Sequence, residues 1–129
     1  MTIKLTSDEI VNRYPELFGT APFDPMETLI CFGLEVGEGW LKILDETFKK
    51  ISDIVKKRNL EEFRIIQVKE KYAGLRIYCS WCEEDIEEII AEAEKICEKT
   101  CEQCGSPEGI FSNDGWCIVQ CQKCRDEAK

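Results

Sequence analysis

The sequence predicts an α+β fold in which helices pack on a two-stranded antiparallel hairpin and a zinc ribbon follows at the C-terminal end. Two amphipathic helical patterns flank a pair of β-rich segments, and two C-x2-C pairs stand at the spacing of a four-thiolate zinc site. A chain of 129 residues with 43% apolar side chains is long enough to build one hydrophobic core. We therefore predict a body over residues 1–99 and a ribbon over residues 100–129 that packs on it.

The first sixty residues predict two helices separated by an irregular segment. A short helix begins with Ser7 as its cap and stops before Pro15, because proline disfavours the helical conformation in the residue that precedes it. Residues 19–39 contain two prolines and four glycines, which predict a loop. From Trp40 onwards apolar residues recur every three or four positions, and basic residues 56–58 suit a helix C-terminus.

A hairpin and a third helix complete the predicted body. Residues 63–69 and 75–80 are rich in Ile, Val, Phe and Tyr, and Ala73-Gly74 supplies a turn between them. Residues 83–99 place isoleucines on one helical face and acidic residues on the other. Since a two-stranded hairpin is marginally stable alone, we expect the helices to cover it.

The strongest motif in the chain is a set of four cysteines. They form two C-x2-C pairs separated by sixteen residues: Cys101, Cys104, Cys121 and Cys124. This spacing is typical of a tetrahedral four-thiolate zinc site, and Gly105 permits the positive φ that such a turn often needs. Residues 109–119 predict two short strands about an Asp114-Gly115 turn. Four thiolates leave no open coordination position, so we expect one structural Zn²⁺.

The other five cysteines carry weaker signals. Cys79 and Cys82 form a third C-x2-C pair, which could be a redox pair or an alternative ligand pair, but no βαβ setting can be constructed around it. Cys31, Cys97 and Cys117 stand among Ile, Phe and Trp, where free cysteine behaves as a small hydrophobe. We therefore expect these three side chains to lie in the core.

Composition and charge exclude several classes of function. The chain has 26 acidic and 17 basic side chains and no histidine, which gives a formal charge of −9. Ser/His/Asp and Cys/His catalysis, histidine metal ligands and a histidine pH switch are excluded. No stretch approaches the roughly 18 apolar residues of a membrane span, and the first residues lack the apolar run of a signal peptide. We predict a cytoplasmic protein with no membrane partner.

The charge is distributed unevenly along the chain. Residues 7–38 contain seven acids and one base and residues 83–99 contain eight acids and two bases, a net −6 in each, whereas residues 39–82 contain ten bases and six acids, a net +4. Four thiolates and one Zn²⁺ take the total to about −11, which disfavours binding to phosphates. We predict a protein partner with a basic surface and no direct nucleic-acid binding. The predicted contacts on the third helix are Glu87, Glu88 and Glu94.

Two alternatives remain open from the residues. A nucleic-acid-binding zinc ribbon would use a basic and aromatic set: Lys42, Lys49, Lys50, Lys56, Lys57, Arg58 and Trp116. A second polar set consists of Glu35, Glu38, Lys69 and Arg76. These residues would either contribute to partner binding or form the acid, base and nucleophile of an unfamiliar hydrolase or transferase, since paired carboxylates and lysines do such chemistry when they are buried.

The chain resembles a group of small, largely uncharacterised proteins found in phages and bacterial genomes. The resemblance covers about residues 14–124. Its marks are residues 31–40, 67–78, 101–105, 115–116 and Cys121. This chain has Cys124 where a histidine is common in the group, a change that keeps a zinc ligand. The resemblance implies a phage or prophage origin and supplies no established activity. Within the class of interaction proteins, that origin favours the hypothesis of a host-directed inhibitor or modulator that binds a basic groove on a defence or nucleic-acid enzyme.

Overall fold

The computed structural model describes residues 6–20, 22–26, 28–113, 115 and 117–127. The helices are α1 (Ser7–Arg13), α2 (Pro15–Phe18), α3 (Leu41–Arg58), α4 (Glu84–Cys97) and α5 (Gln122–Glu127). The strands are β1 (Ile65–Lys71), β2 (Gly74–Cys79), β3 (Ile110–Asn113) and β4 (Cys117–Gln120). Two short 3-10 turns, Ile30–Phe32 and Glu38–Trp40, precede α3. This order confirms the predicted α+β class.

The N-terminal helices differ in detail from the prediction. Thr6, and not Ser7, caps α1, because the Thr6 hydroxyl accepts the backbone N–H of Glu9 at 3.2 Å. The Ser7 hydroxyl instead accepts the backbone N–H of Leu34 at 2.8 Å, which fastens the following loop to α1. Pro15 ends α1 as predicted, but it also opens α2, since a proline at the first helical position needs no N–H partner.

Helix α3 passes through the centre of the core, as its periodicity predicts. Trp40, Phe48 and Phe63 are fully buried, and the Phe48 ring meets Phe18 edge to face with ring centroids 5.1 Å apart. The last turn of α3 is basic, and the helix ends where Asn59 adopts a left-handed conformation with φ of 53°.

The central hairpin pairs β1 with β2 in an antiparallel register that places Lys69 opposite Arg76 and Lys71 opposite Gly74. Its turn consists of Tyr72 and Ala73, with φ values of 53° and 66°. Two consecutive positive φ values match the right-handed twist of the strands they join. The predicted turn at Ala73-Gly74 was therefore wrong by one residue.

The segment before α3 adds a partial third strand beside β1. The backbone N–H of Glu35 donates to the carbonyl of Val68 at 2.9 Å, and the N–H of Glu70 donates to the carbonyl of Glu35 at 3.0 Å. The N–H of Leu29 donates to the carbonyl of Ile66 at 2.9 Å. This part of the predicted loop thus supplies hydrogen-bond partners for backbone groups on the outer edge of β1.

Helix α4 covers the hairpin and joins its core to that of α3. Its buried side chains are Ile86, Ile90, Ala93 and Cys97, and it packs against both α3 and β2. Val119 of β4 is 2% exposed and belongs to the same hydrophobic cluster. The core is therefore continuous from the helical body to the C-terminal region.

The C-terminal region is a small antiparallel ribbon followed by a helix. Ile110 pairs with Gln120, and Asn113 pairs with Cys117. Gly115 lies in the predicted turn with φ of 88°, whereas Asp114 lies outside the described residues. Helix α5 was not predicted, because six residues after the last strand carry no apolar periodicity.

Candidate metal centre

The four predicted cysteine ligands converge on one point. The sulfurs of Cys101, Cys104, Cys121 and Cys124 all lie within 4.8 Å of one another, and those of Cys104 and Cys121 are 3.6 Å apart. Zn–S bonds of about 2.3 Å at tetrahedral angles separate two sulfurs by about 3.8 Å, whereas a disulfide requires about 2.05 Å. The arrangement is therefore that of a single four-thiolate metal site, which confirms the spacing argument.

The two cysteine pairs reach this site from different local structures. In the first pair, the N–H of Gly105 donates to the carbonyl of Cys101 at 2.9 Å, and Gly105 has φ of 84°. This is the tight turn that the sequence predicts. In the second pair, Cys124 lies in α5, and the N–H of Arg125 donates to the carbonyl of Cys121 at 3.0 Å. Residues three apart on a helix share a side, so one helical turn brings both thiols to the metal site.

The local polypeptide prepares Cys101 to be a thiolate. Burial acts to raise the pKa of Cys101, but hydrogen bonds from the backbone of Cys121, Cys104 and Gln103 outweigh it and lower the pKa to about 6. Cys124 differs, because hydrogen bonding with the thiols of Cys104 and Cys121 raises its pKa. Three backbone hydrogen bonds thus favour the negative sulfur of Cys101, whereas the raised pKa of Cys124 favours its thiol until a cation binds.

The metal site is attached to the body by the segment just before α3. Glu102, between the first two ligands, accepts the N–H of Gly37 on its side chain at 2.9 Å and the N–H of Gly39 on its carbonyl at 2.7 Å. The Trp40 indole donates to the carbonyl of Thr100 at 2.9 Å from a fully buried position. Burial raises the pKa of Glu102, and the Gly37 N–H opposes that shift.

Two glycines of this segment allow the close approach. A Cβ at Gly39 would lie 2.2 Å from the carbonyl oxygen of Cys101, and a Cβ at Gly37 would lie 2.4 Å from that of Glu102. Only glycine fits at either position without moving the backbone of the metal-binding turn. This role of the two glycines was not predicted, although the G-x-G-W spacing just before a strongly predicted helix is a signal for it.

The remaining cysteines are not part of the metal site. Among the described residues, the only group of metal-ligating side chains contains the four ligands above. Burial, together with the neighbouring Cys82, raises the pKa of Cys79 to about 12, which favours the thiol over the reactive thiolate. Cys97 is buried and Cys117 half-buried, as predicted for core thiols, whereas Cys31 is exposed. The prediction for Cys31 was wrong, because its neighbour Ile30 supplies the buried side chain of this short 3-10 turn.

The second polar set is brought together only in part. Glu35, Lys69 and Arg76 form a row across the three adjoining strands, since Glu35 is bridged to Lys69 and Lys69 pairs with Arg76. Glu35 and Arg76 are exposed. Glu38 is separate, because it lines a cleft with Lys42 and Cys104 instead.

The three predicted contact residues of α4 do not share one line along the helix. Glu87 and Glu94 are seven residues apart, close to two turns, and both line a cleft beside β2. Glu88 lies about 100° further round the helix and is exposed. Within the described part of the chain, none of the three carboxylates has a cationic partner, whereas Asp85 is paired with Arg58.

The basic residues of the nucleic-acid alternative lie mostly on α3. Its lysines Lys42, Lys49, Lys50, Lys56 and Lys57 are exposed. Lys56 is paired with Glu16 at 3.6 Å, and Arg58 is paired with Glu83 and Asp85. Trp116, the aromatic member of this set, lies outside the described residues.

Comparison with known proteins assigns no family to this arrangement. A scan against protein-family models finds no match, and searches of the curated proteins and of the solved structures find none either. Of the helices in residues 6–20, 22–26, 28–113, 115 and 117–127, none combines the length and apolar composition needed to cross a membrane. The fold and the four thiols define an α+β protein with a ribbon-like metal site.

Proposed function

We propose that this protein is a non-enzymatic, zinc-stabilised interaction module that binds a protein partner with a basic surface. The observation that carries the proposal is the pairing of a closed four-thiolate site with an acidic helix face whose Glu87, Glu88 and Glu94 have no cationic partner among the described residues. We call this face the acidic surface of α4; it comprises the helix residues Glu84, Glu87, Glu88, Glu92 and Glu94 and the C-cap Glu98, with Lys95 as the one base of the helix. Its net negative charge suits a basic partner, and the metal holds a small region in one conformation.

Zinc is the metal that this ligand set favours. Four thiolates in tetrahedral positions select Zn²⁺ or an iron centre over the hard cations that prefer oxygen. A site closed by four protein ligands has no position for water or substrate, so its metal stabilises structure instead of supplying chemistry. The proposal places the protein in the cytoplasm, because thiolate ligands require a reducing compartment.

Metal analysis of protein purified under reducing, chelator-free conditions tests this part of the proposal. We expect one zinc per chain, and loss of that zinc in Cys101→Ser and Cys121→Ser variants. Cys31→Ser is the matched control, because Cys31 is exposed and outside the cluster. A wild-type protein with neither zinc nor iron would contradict a metal site, whereas stoichiometric iron would replace zinc in the proposal.

The acidic surface of α4 supports a basic partner. The helix buries isoleucines on its inner side, so its carboxylates are available on the outer side. The net charge of −9 adds a long-range field of the same sign. Complementary fields raise association rates more than they raise final affinity, and salt screens them. We therefore expect fast and salt-sensitive association with a basic partner.

A lysine- and arginine-rich peptide serves as a probe of this surface, with binding followed by fluorescence anisotropy at low and high salt. Combined Glu87→Lys, Glu88→Lys and Glu94→Lys should weaken binding about tenfold or more and remove its salt dependence. The control reverses three exposed acids away from α4, Asp53, Glu61 and Glu62, and changes the net charge equally.

The two variants separate local from global electrostatics. Equal loss of binding in both would show that only the net charge acts. Binding that neither variant changes would contradict the acidic surface as a docking site.

A nucleic-acid-binding ribbon is the first alternative. We expect no measurable binding to DNA or RNA at about physiological salt, because a chain near −11 has little phosphate to neutralise. Gel shifts test this. Submicromolar binding that weakens with salt, and disappears when Lys49, Lys50 and Lys57 are reversed in charge, would favour the alternative.

An enzyme that uses Glu35, Glu38, Lys69 and Arg76 is the second alternative. Both glutamates are exposed, which argues against it because catalytic carboxylates need burial to shift their pKa values, and Glu38 is separate from the half-buried Lys69. The proposal therefore gives the row of Glu35, Lys69 and Arg76 a secondary place as a partner contact.

The resemblance to phage and bacterial proteins suggests a sharper version of the proposal. In it, the partner is a host defence or nucleic-acid enzyme whose basic groove normally holds nucleic acid, and the acidic surface of α4 competes for that groove. Retention of such an enzyme from host lysate, with release by nucleic acid, is the expected result. Retention that nucleic acid does not compete would contradict this version.

A further inference from the structure

The outer edge of β2 pairs with no other strand among the described residues. In a hairpin closed by a two-residue turn, the residues that flank the turn exchange hydrogen bonds. From that pair onwards, non-hydrogen-bonded and hydrogen-bonded pairs alternate along the two strands. Lys71 and Gly74 flank the turn, and Lys69 pairs with Arg76 two residues further on. Leu75 and Ile77 therefore direct their N–H and carbonyl groups away from β1.

The backbone contacts of β1 confirm this alternation. Val68 and Glu70, the partners of Ile77 and Leu75, use their outward groups to bond Glu35. On the β2 side, no described residue hydrogen-bonds the outward groups of Leu75 or Ile77. One edge of the hairpin is thus covered by its own chain, and the other is available.

A groove runs along this free edge between β2 and α4. A cleft of about 330 Å³ lies at one end and includes Ile77, Trp81 and Glu87 in its lining. A second cleft of about 470 Å³ lies at the other end and includes Leu75 and Phe111. Glu94 lines both clefts, so they lie next to each other along β2. The six residues of β2 span about 20 Å.

The charges of the groove are arranged along its length. Among the described residues, the only charged ones that line the first cleft are Glu87 and Glu94. The second cleft adds Glu98 but also three cations, Lys71, Arg76 and Lys99. The groove is therefore acidic where β2 ends and mixed in charge where β2 begins.

We infer that an extended segment of the protein partner adds to β2 as an antiparallel strand, with its basic residues opposite Glu87 and Glu94. Strand addition supplies affinity through main-chain hydrogen bonds, and the clefts and charges of the flanking helix supply specificity. A segment antiparallel to β2 runs from the acidic end to the mixed end. Basic residues therefore come first in its sequence, and an acidic residue or a chain terminus follows.

A second copy of this chain is the other strand that could occupy the edge. Each copy carries −9 and would bring its own Glu87 and Glu94 to the same groove. Like charges at close range oppose that pairing. The charge pattern thus favours a basic segment from a different protein.

This inference rests on the proposed basic partner, and its test separates the two. The probe is an acetylated peptide of alternating lysine and valine that ends in glutamate. We expect the amide hydrogens of Leu75 and Ile77 to exchange rapidly in the free protein and to be protected about tenfold or more when the peptide is bound. A peptide with the valines replaced by proline keeps the charge but lacks their N–H groups, and should bind about tenfold more weakly.

Direction and edge are tested by two further comparisons. The same peptide in reverse order should bind more weakly, because its glutamate would face Glu87. Ile77→Pro removes an outward N–H without removing a β1–β2 hydrogen bond, and should weaken binding about three- to tenfold. Tyr78→Pro removes an N–H that bonds β1, so it shows how much a proline that breaks β1–β2 pairing destabilises the fold. If Ile77→Pro fails to fold, the amide exchange of the wild-type protein decides the question.

The outcomes are distinct. Binding that needs Glu87 and Glu94 but leaves the Leu75 and Ile77 amides unprotected, or that the proline peptide reproduces, would overturn strand addition and keep the acidic docking surface. Binding that survives charge reversal at both glutamates would overturn both. Concentration-dependent protection without peptide, together with dimers in sedimentation, would assign the edge to a second copy and overturn the inference.

Discussion

Along α3 seven side chains are buried, whereas β3 buries none and β4 buries only Val119. The helical body therefore has the layered apolar contacts that stabilise an ordinary small domain. The C-terminal region has four converging thiols, and it is held to the body by backbone contacts at Gly39 and the Trp40 indole. The helical body is therefore stabilised mainly by apolar packing, and the C-terminal region mainly by its metal site.

Metal removal should produce the largest difference between the two regions. Structural zinc contributes about 10–16 kcal/mol of binding free energy in isolated fingers, and Val119 is the only side chain of β3 and β4 buried in the core that could replace part of it. We expect chelation to abolish amide protection in β3 and β4 while α3 keeps most of its protection. Hydrogen exchange followed residue by residue measures this. Equal loss in both regions would show that they form one cooperative unit.

Replacing a phenylalanine by alanine should destabilise the protein much more in the helical body than in the C-terminal region. Phe48 is fully buried in the body and Phe111 is 56% exposed in β3. Phe48→Ala should lower the free energy of unfolding by about 3–5 kcal/mol, whereas Phe111→Ala should change it by about 0.5 kcal/mol or less. Denaturant unfolding followed by circular dichroism gives both values. A large effect at Phe111 would reveal packing that its exposure does not suggest.

The contact between the two regions should be sensitive to one methyl group. Gly39→Ala places a Cβ 2.2 Å from the carbonyl oxygen of Cys101. We expect a loss of about 1–3 kcal/mol and a weaker zinc affinity, because the metal-binding turn must move. Gly74→Ala is the matched control, since its Cβ would come no closer than 3.3 Å to any heavy atom. Zinc competition with a chromophoric chelator measures the coupling.

The sequence predicts the parts of this structure that depend on local pattern. The apolar periodicity of α3 and α4 predicts two amphipathic helices. The spacing of the cysteines predicts one four-ligand metal site: Cys101, Cys104, Cys121 and Cys124. The contacts that join distant segments carry no such local signal. Glu35 beside β1 and Gly39 against Cys101 are fixed by tertiary packing, so the sequence shows only a glycine-rich loop there.

Errors of one residue have a similar origin. Thr6 and Ser7 are both suitable N-cap residues for α1. The tertiary structure decides between them, because the Ser7 hydroxyl accepts the backbone N–H of Leu34 and the Thr6 hydroxyl caps the helix. The turn at Tyr72 and Ala73 uses positive φ without glycine, which propensity alone disfavours. Local sequence propensity thus predicts where the helices and strands lie, whereas tertiary contacts determine the residues at which they begin and end.

The smallest expected effect concerns a polar contact within the body. The Tyr14 hydroxyl donates to Asp45 at 2.9 Å, and burial together with this hydrogen bond raises the pKa of Tyr14 from 10.0 to about 12. A raised pKa means that folding favours the neutral phenol. Its stabilising contribution is therefore complete below pH 10 and is lost as the pH rises towards 12.

Tyr14→Phe should accordingly lower the free energy of unfolding by about 1 kcal/mol at neutral pH, because it removes one hydrogen bond to a charged acceptor. The difference between the variant and the wild-type protein should shrink as the pH approaches the pKa of Tyr14, about 12. Ultraviolet absorbance of a Tyr72→Phe, Tyr78→Phe background isolates the Tyr14 phenolate and reports its pKa directly. A titration near 10, the ordinary value, would mean that the Asp45 contact does not persist in solution.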